Sequence, residues 1–427
     1  MLDIVKICKE AKSASAKLAL AESETKDKAL FLLVQWLLDN TEMIIRENDK
    51  DVDEARTNGL SEALIDRLRL TSERVSGIAA DLENVIQLVD PVGEEFENGI
   101  LPNGLKTRKV RVPLGVIAVI YESRPNVTID VASLALKSGN AVILRGGSET
   151  IHSNRILVNG IRAVLQGAGI DPAVVQFIDD PSRELVSQLL KMHQYVDMLI
   201  PRGGARLHAY CRENSTIPVI TGGIGICHLF VDESADLERS IDVIRNAKIQ
   251  RPSVCNSLDT VLVHKSVSGD LVPRLINALR EDGASFRVEA DLMQELGIQA
   301  DGIVQPAGVE DFDTEWLSLV LGIKGVSGLE EAITHIAAHS TGHSDGILTG
   351  NSENARRFTY EVDSSVVYVN ASTRFTDGAQ LGLGAEVAVS TQRLHARGPM
   401  ALNWDWEPKW LSPPNACMPA VPWRSGN

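Results

Sequence analysis

From Pro113 onward the chain alternates short apolar runs with longer amphipathic ones, and that rhythm leaves few folds open. The runs at 116–121, 141–144, 174–178, 196–200 and 218–220 predict strands, and the stretches 127–137, 149–165, 183–193 and 204–212 between them predict helices. A strand, a helix and a further strand in succession need a crossover, so the sheet is parallel and doubly wound, with its ligand sites at the carboxyl ends of the strands. A second α/β unit starts near His228 and runs to about Leu402, with predicted strands at 229–231, 260–263, 346–348 and 366–369. Residues 1–90 read as helices, and 100–112 as an exposed hairpin whose Lys106, Arg108, Lys109 and Arg111 suit a solvated face or an edge strand. No period emerges in 404–427.

With 427 residues the chain can fill two or three domains, and its 44% apolar and 23% charged residues are those of a globular protein. The net charge of −15 argues against broad contact with nucleic acid or anionic lipid, so a bound anion needs a local cluster of cations or N–H groups. Five cysteines stand far apart with no CxxC pair, which predicts thiols in a reducing compartment. No apolar run reaches the roughly 18 residues of a membrane span, and the first residues carry charges unlike those of a secretory signal. The expectation is a cytoplasmic protein.

Two predicted strands end in the same way. One runs into Arg145-Gly146-Gly147 and the other into Arg202-Gly203-Gly204, each before a helix. Glycines there let the backbone approach a ligand, and the helix start presents N–H groups with positive partial charge. One such turn merely tightens a strand–helix connection; two, each with an arginine, point to a nucleotide phosphate site. Arg145 stands where a 2′-phosphate could be read, which favours NADP over NAD.

Among the thiols, Cys8 falls on an apolar helical stripe, Cys211 on a helix, Cys227 in an apolar strand and Cys417 in the closing segment. Cys255 differs. It lies in Gln250-Arg251-Pro252-Ser253-Val254-Cys255-Asn256-Ser257, a loop-like string where Arg251 and nearby Lys248 would favour the reactive thiolate. A buried, inert cysteine is the alternative reading. His335, His339 and His343 repeat at helical spacing, but Gly342 should end the helix before the third, and no metal site is assigned. His395 reads equally well as structural.

These strings resemble the aldehyde dehydrogenase superfamily over about residues 1–402. The resemblance is carried by Val112-Pro113-Leu114-Gly115-Val116-Ile117, Tyr121-Glu122-Ser123-Arg124-Pro125-Asn126-Val127-Thr128, the two glycine turns, Thr221-Gly222-Gly223-Ile224-Gly225, the Cys255 string, Asn370-Ala371-Ser372-Thr373-Arg374-Phe375-Thr376-Asp377-Gly378 and Gly384-Ala385-Glu386-Val387. It implies an aldehyde dehydrogenase-like α/β fold: a Rossmann-type NADP-binding domain over 1–227, a catalytic domain over 228–385 carrying Cys255, and a return segment with a divergent tail over 386–427. The hairpin would belong to a small β arm that builds a homo-oligomer.

The resemblance also implies roles for single residues. Cys255 would be the nucleophile, and Asn126 with the Cys255 N–H the oxyanion hole. Arg145, Gly146, Gly147, Arg202, Gly203, Gly204 and Glu315 would bind the cofactor, Glu315 by orienting the nicotinamide ribose. Arg124 and Arg251 are candidates for the substrate's phosphate or carboxylate, with pairing to a core carboxylate as the equal alternative. Aldehyde-oxidising relatives carry a glutamate that activates water; the equivalent string at 221–225 has none. That implies NADPH-dependent reduction of an acyl phosphate, L-glutamyl 5-phosphate, on the route to proline, with glutamate 5-kinase as a candidate partner. The rivals are an NAD(P)-dependent aldehyde oxidiser of the same fold and a non-catalytic binding protein on this scaffold. The closing segment 404–427 departs from the Thr-, Tyr- and Lys-rich ending of relatives, which pairs with the hairpin.

Overall fold

The computed structural model describes residues 2–222, 224–382, 386–393, 398–400 and 410–411. They form two compact units, one built chiefly on Met1–Gly222 and the other chiefly on Gly223–Leu381.

The first unit opens with helices Ile4–Leu18, Ser23–Asp39, Thr41–Thr57, Glu62–Leu68 and Ser72–Gln87. The hairpin follows, with β1 (Glu95–Ile100) antiparallel to β2 (Lys106–Val110) and every residue of β2 exposed. A parallel sheet comes next: β3 (Val116–Tyr121), β4 (Ala141–Arg145), β5 (Val175–Phe177) and β6 (Met198–Arg202), in the order β5-β4-β3-β6. All six residues of β3 are buried, because helices cover both faces of such a sheet and an unbroken apolar run is what its centre requires. Gly115 enters β3 at φ +121°, where a Cβ would run into Asp197. Asp197 in turn accepts the Val116 N–H at 2.8 Å and pairs with Lys12 at 2.7 Å, which fastens the first helix to the sheet. The run at 218–220 does not become a ladder strand. Pro218 has no N–H, and Val219 makes a single parallel bridge with Leu199.

The second unit holds β7 (Cys227–Val231), β8 (Leu258–His264), β9 (Ser285–Val288), β10 (Val304–Pro306), β11 (Val320–Val326), β12 (Ser344–Leu348) and β13 (Val366–Val369). The order is β10-β9-β11-β8-β7-β12-β13, and of 404–427 only the short strand Trp410–Leu411 is described, parallel to β13. Alternation sorts its side chains onto two faces. Leu229, Val231, Val261 and Val263 pack under helices Leu237–Ile249 and Lys265–Arg280. Phe230 and Leu262 pack under helices Leu329–His339 and Ser352–Glu361. Three strands escape the apolar-run criterion. β9 alternates, β10 is short and contains Pro306, and β11 is interrupted by Gly322, Lys324 and Gly325.

In the first unit one buried side chain substitutes for missing backbone partners. Asn48, with no exposed surface, donates to the Leu68 carbonyl at 2.9 Å and to Ser153 Oγ at 2.9 Å, and accepts from the Leu70 N–H at 2.7 Å. Asn48→Ala therefore strands two backbone groups in the interior, each costing on the order of 1–3 kcal/mol. Urea unfolding should show a loss of about 2–6 kcal/mol, and a loss within experimental error would refute this account.

Candidate active site

In the first unit the strand order places β4 on one side of β3 and β6 on the other, so the winding reverses at β3. A crevice opens at the carboxyl ends where that happens. The end of β3 is tied to both glycine turns by carboxylates. Glu149 Oε1 accepts from the Ser123 N–H at 2.7 Å and from Ser123 Oγ at 2.8 Å, and Ser123 is held at φ +48°, rare for a residue with a side chain. Glu122 Oε2 accepts from the Gly204 N–H at 3.2 Å. Gly204 is the N-cap of helix Ala205–Asn214, which has no side-chain cap, so Glu122 sits against the positive end of that helix. A Cβ on Gly203 would run into Glu122, and one on Gly147 into Glu149, so the glycines are what let these groups approach.

Arg145 ends β4. Its Nη2 donates to the Pro181 carbonyl at 2.7 Å, while its buried Nε has no protein partner. Burial lowers its pKa, and Glu149, Glu122 and Asp180 counteract that. Arg202 ends β6, with its carbonyl accepting the Glu122 N–H at 3.2 Å. His208, in the helix beyond, is pushed down to about 4 by burial and by the Arg202 cation, and is neutral at pH 7. Asn126 begins helix Asn126–Lys137 and donates through Nδ2 to Asp130 Oδ2 at 2.9 Å, one turn on. Asp130 keeps a partly exposed edge, yet loss of hydration raises it to about 7 against the Asn126 bond, helped by Asp81 and opposed by Arg202. Arg124 lies between, half-buried.

Cys255 belongs to the second unit, in the turn between helix Leu237–Ile249 and β8, and is half-buried. The other described thiols are fully enclosed: burial pushes Cys8 up to about 12 and Cys211 up to about 11, and raises Cys227 well above its ordinary value. Cys227 Sγ donates to the Cys255 carbonyl at 3.3 Å. A Cβ on Gly225 would run into that same carbonyl, so Gly225 lies flush against the thiol turn. The Gly225 N–H donates to Glu315 Oε1 at 2.9 Å, so Glu315 also ties the string in place.

Asn256 is 5% exposed and locks the turn to the segment 372–376. Its Nδ2 donates to the Thr376 carbonyl at 2.8 Å, its carbonyl accepts from Thr373 Oγ1 at 2.7 Å, and its Oδ1 accepts from Arg374 Nη1. Arg251 is exposed. Lys248 does not serve the thiol as expected. It is buried and pairs with Asp259 at 3.4 Å, because an enclosed ammonium needs a carboxylate beside it.

The structure thus groups Arg124, Asn126, Arg145, Gly146, Gly147, Arg202, Gly203 and Gly204 in the first unit and Arg251, Cys255 and Glu315 in the second. Gly223, Gly384, Ala385, His395 and Cys417 lie outside the described residues. Helix Leu329–His339 ends before His343; His335 meets His228 and Phe312 edge-on, and His339 pairs with Asp313 at 2.7 Å. Sequence reading missed Glu122, Glu149, Asp130 and Arg374. The first two stood in view beside strand ends, whereas Arg374 reaches Asn256 from 118 positions away.

The sequence profile of the aldehyde dehydrogenase family matches residues 2–292. A gamma-glutamyl phosphate reductase of Mannheimia succiniciproducens is 52% identical over 412 residues, covering 96% of this chain and 98% of its own. One of Escherichia coli is 54% identical over 401 residues, covering 94% and 96%. The crystal structure of gamma-glutamyl phosphate reductase from Thermotoga maritima superposes with a TM-score of 0.90 at 43% identity, covering 94% and 96%.

Gly225→Ala must displace backbone rather than a flexible tip, so it should lower both the melting temperature and the alkylation rate of Cys255; wild-type values for both would contradict the flush contact. For Asp130 the folded pKa is raised, so above about pH 4 the unfolded chain gives up a proton that the folded chain keeps. Stability contributed by the protonated form is present near pH 4 and is lost as pH rises through about 7. Asp130→Asn should flatten that decline in urea titrations, and an unchanged slope would dismiss it.

Proposed function

The chain belongs to the aldehyde dehydrogenase family and, within it, to the gamma-glutamyl phosphate reductases, and on that basis we propose that it reduces L-glutamyl 5-phosphate to glutamate 5-semialdehyde with NADPH through a thioacyl form of Cys255. The observation that carries the mechanism is the contrast among thiols. Cys255 alone of the described four is accessible, while burial holds the others protonated and inert.

The residues of the first unit fit a dinucleotide. A helix start follows one glycine turn, a second glycine turn ends β4 on the other side of β3, and Arg145 keeps a buried N–H without a protein acceptor. Arg202, Gly203 and Gly204 would hold the pyrophosphate end. Arg145, with Gly146 and Gly147, would hold the adenosine ribose and its 2′-phosphate. Bound NADPH would supply the hydride. Glu315 would orient the nicotinamide ribose.

The Cys255 thiolate attacks the acyl carbon, the sulfur–carbon bond forms, and the bond to the phosphate oxygen breaks. Its electron pair leaves with the phosphate, which takes up one proton. Asn126 and the Cys255 N–H donate to the developing oxyanion, an interaction worth about 3–4 kcal/mol per donor in well-studied hydrolases. Asp130 positions Asn126 by accepting from its amide. After hydride transfer the sulfur is expelled as thiolate and the aldehyde departs, to cyclise without help. Arg124 and Arg251 are candidate ligands for the substrate's anionic groups.

Reduction is favoured over hydrolytic aldehyde oxidation because Thr221, Gly222, Ile224 and Gly225 bring no carboxylate to the thiol turn. The hairpin exposes Ile100, Leu101, Leu105 and Val110, a surface suited to self-association. Among the described residues no helix is long and apolar enough to cross a membrane. A cytoplasmic site of action and a transient handover of the labile acyl phosphate from glutamate 5-kinase complete the proposal.

The reverse reaction tests it. NADP⁺ reduction by the semialdehyde should require inorganic phosphate, and Cys255→Ala should abolish it while NADPH binding persists. Phosphate-independent oxidation would favour the hydrolytic reading, and substantial turnover by Cys255→Ala would refute covalent catalysis.

A further inference from the structure

The guanidinium of Arg374 is built into the thiol turn in a way that the function above leaves unused. Its Nη1 donates to Asn256 Oδ1, on the residue that follows Cys255. The segment bearing it is fixed at several points. Ser372 caps the short helix Thr373–Phe375 through the Arg374 N–H at 3.3 Å, Thr373 Oγ1 donates to the Asn256 carbonyl at 2.7 Å, and Thr376 Oγ1 is bonded to Ser344 Oγ at 2.7 Å and Tyr368 OH at 2.9 Å. The cation is therefore held in place before any ligand arrives.

Its remaining capacity is unspent. Arg374 Nε is buried without a protein partner, and among the described residues neither Arg374 nor Arg251 forms an ion pair. The two arginines repel each other: burial and the Arg251 cation both lower the Arg374 pKa, and Asp377, Cys255 and Cys227 counteract them. Arg251, four residues before Cys255, and Arg374, bonded to the residue after it, bring two like charges to one turn, an arrangement that a bound anion relieves.

We propose that Arg374 and Arg251 together form the site for the phosphoryl group of the acyl phosphate, and for inorganic phosphate in the reverse reaction. The inference rests on the proposed function and deepens it, by assigning the leaving-group site. Connectivity chooses phosphate over the amino-acid carboxylate. The phosphate is bonded to the carbon that sulfur attacks, whereas the carboxylate is several bonds away, so a cation anchored on the residue next to Cys255 is matched to the phosphate. As the carbon–oxygen bond breaks, the electron pair moves onto phosphate oxygen, and a fixed guanidinium stabilises that charge more than it stabilises the ground state.

Arg374→Gln, run in the phosphate-dependent direction, should raise KM for phosphate about tenfold to a hundredfold, the loss of a charge-assisted hydrogen bond. KM for NADP⁺ and for the semialdehyde should stay within about twofold. Arg374→Lys should recover part of the phosphate affinity. An unchanged phosphate KM, or a rise in the semialdehyde KM instead, overturns the assignment. Wild-type protein provides an arm independent of turnover and of the variant's folding. Inorganic phosphate should slow alkylation of Cys255 by anionic iodoacetate more than by neutral iodoacetamide, with chloride at equal ionic strength as control and the site read by peptide mass spectrometry. Equal effects on the two reagents also overturn it. Should the enzyme oxidise the semialdehyde without phosphate, the proposed reaction fails, while the alkylation arm still decides whether the anion site exists.

Discussion

Parallel strand pairing is the constraint from which the rest follows. A parallel neighbour is reached only through a crossover, so every strand of β3–β6 and of β7–β13 ends on the same edge of its sheet as the others. Chemistry-bearing residues far apart in the chain are then delivered to one rim. In the first unit that rim collects Glu122, Ser123, Arg145, Glu149, Arg202 and Gly204, all at or just beyond strand ends. The apolar interior makes this arrangement rigid, since a fully buried strand such as β3 leaves little room for a strand end to wander.

Much of this was legible in the sequence, for physical reasons that can be named. β3 and β4 lie where unbroken apolar runs put them, because both faces of a central parallel strand must be apolar. The glycine turns were legible because they pair small residues with a charge at a strand end. The legible part stops where local pattern stops carrying the signal. β11 is a central strand between β8 and β9, yet its glycines and lysine broke the run; its stability comes from its neighbours on both sides rather than from its own composition. The same holds at the site. Lys248 stands seven positions before Cys255 in the chain, but helix geometry turns it inward to Asp259, and the arginine that does serve the turn comes from the segment after β13.

Carboxylates have an unexpected prominence in the first unit. The end of β3 brings Glu122 onto a helix N-terminus and Glu149 onto the strained Ser123. Both act as struts: they satisfy N–H groups that would otherwise stand open and hold the end of β3 against its two neighbouring turns. Arg145 offsets their charge and Arg202 acts on Asp130, so this rim has mixed polarity rather than a uniformly positive lining. Selectivity for an anion there depends on where each cation points and not on a sum of charges.

The flush packing of Gly225 on the Cys255 carbonyl bears on how this scaffold can diversify. A turn pressed against a neighbouring main chain is closed to point mutation on that side, since any Cβ collides with backbone. The preceding residue, Ile224, keeps a partly exposed side chain and is not closed off in this way. Variation beside the turn is thus left to positions other than Gly225, where steric exclusion by the Cys255 main chain permits no side chain.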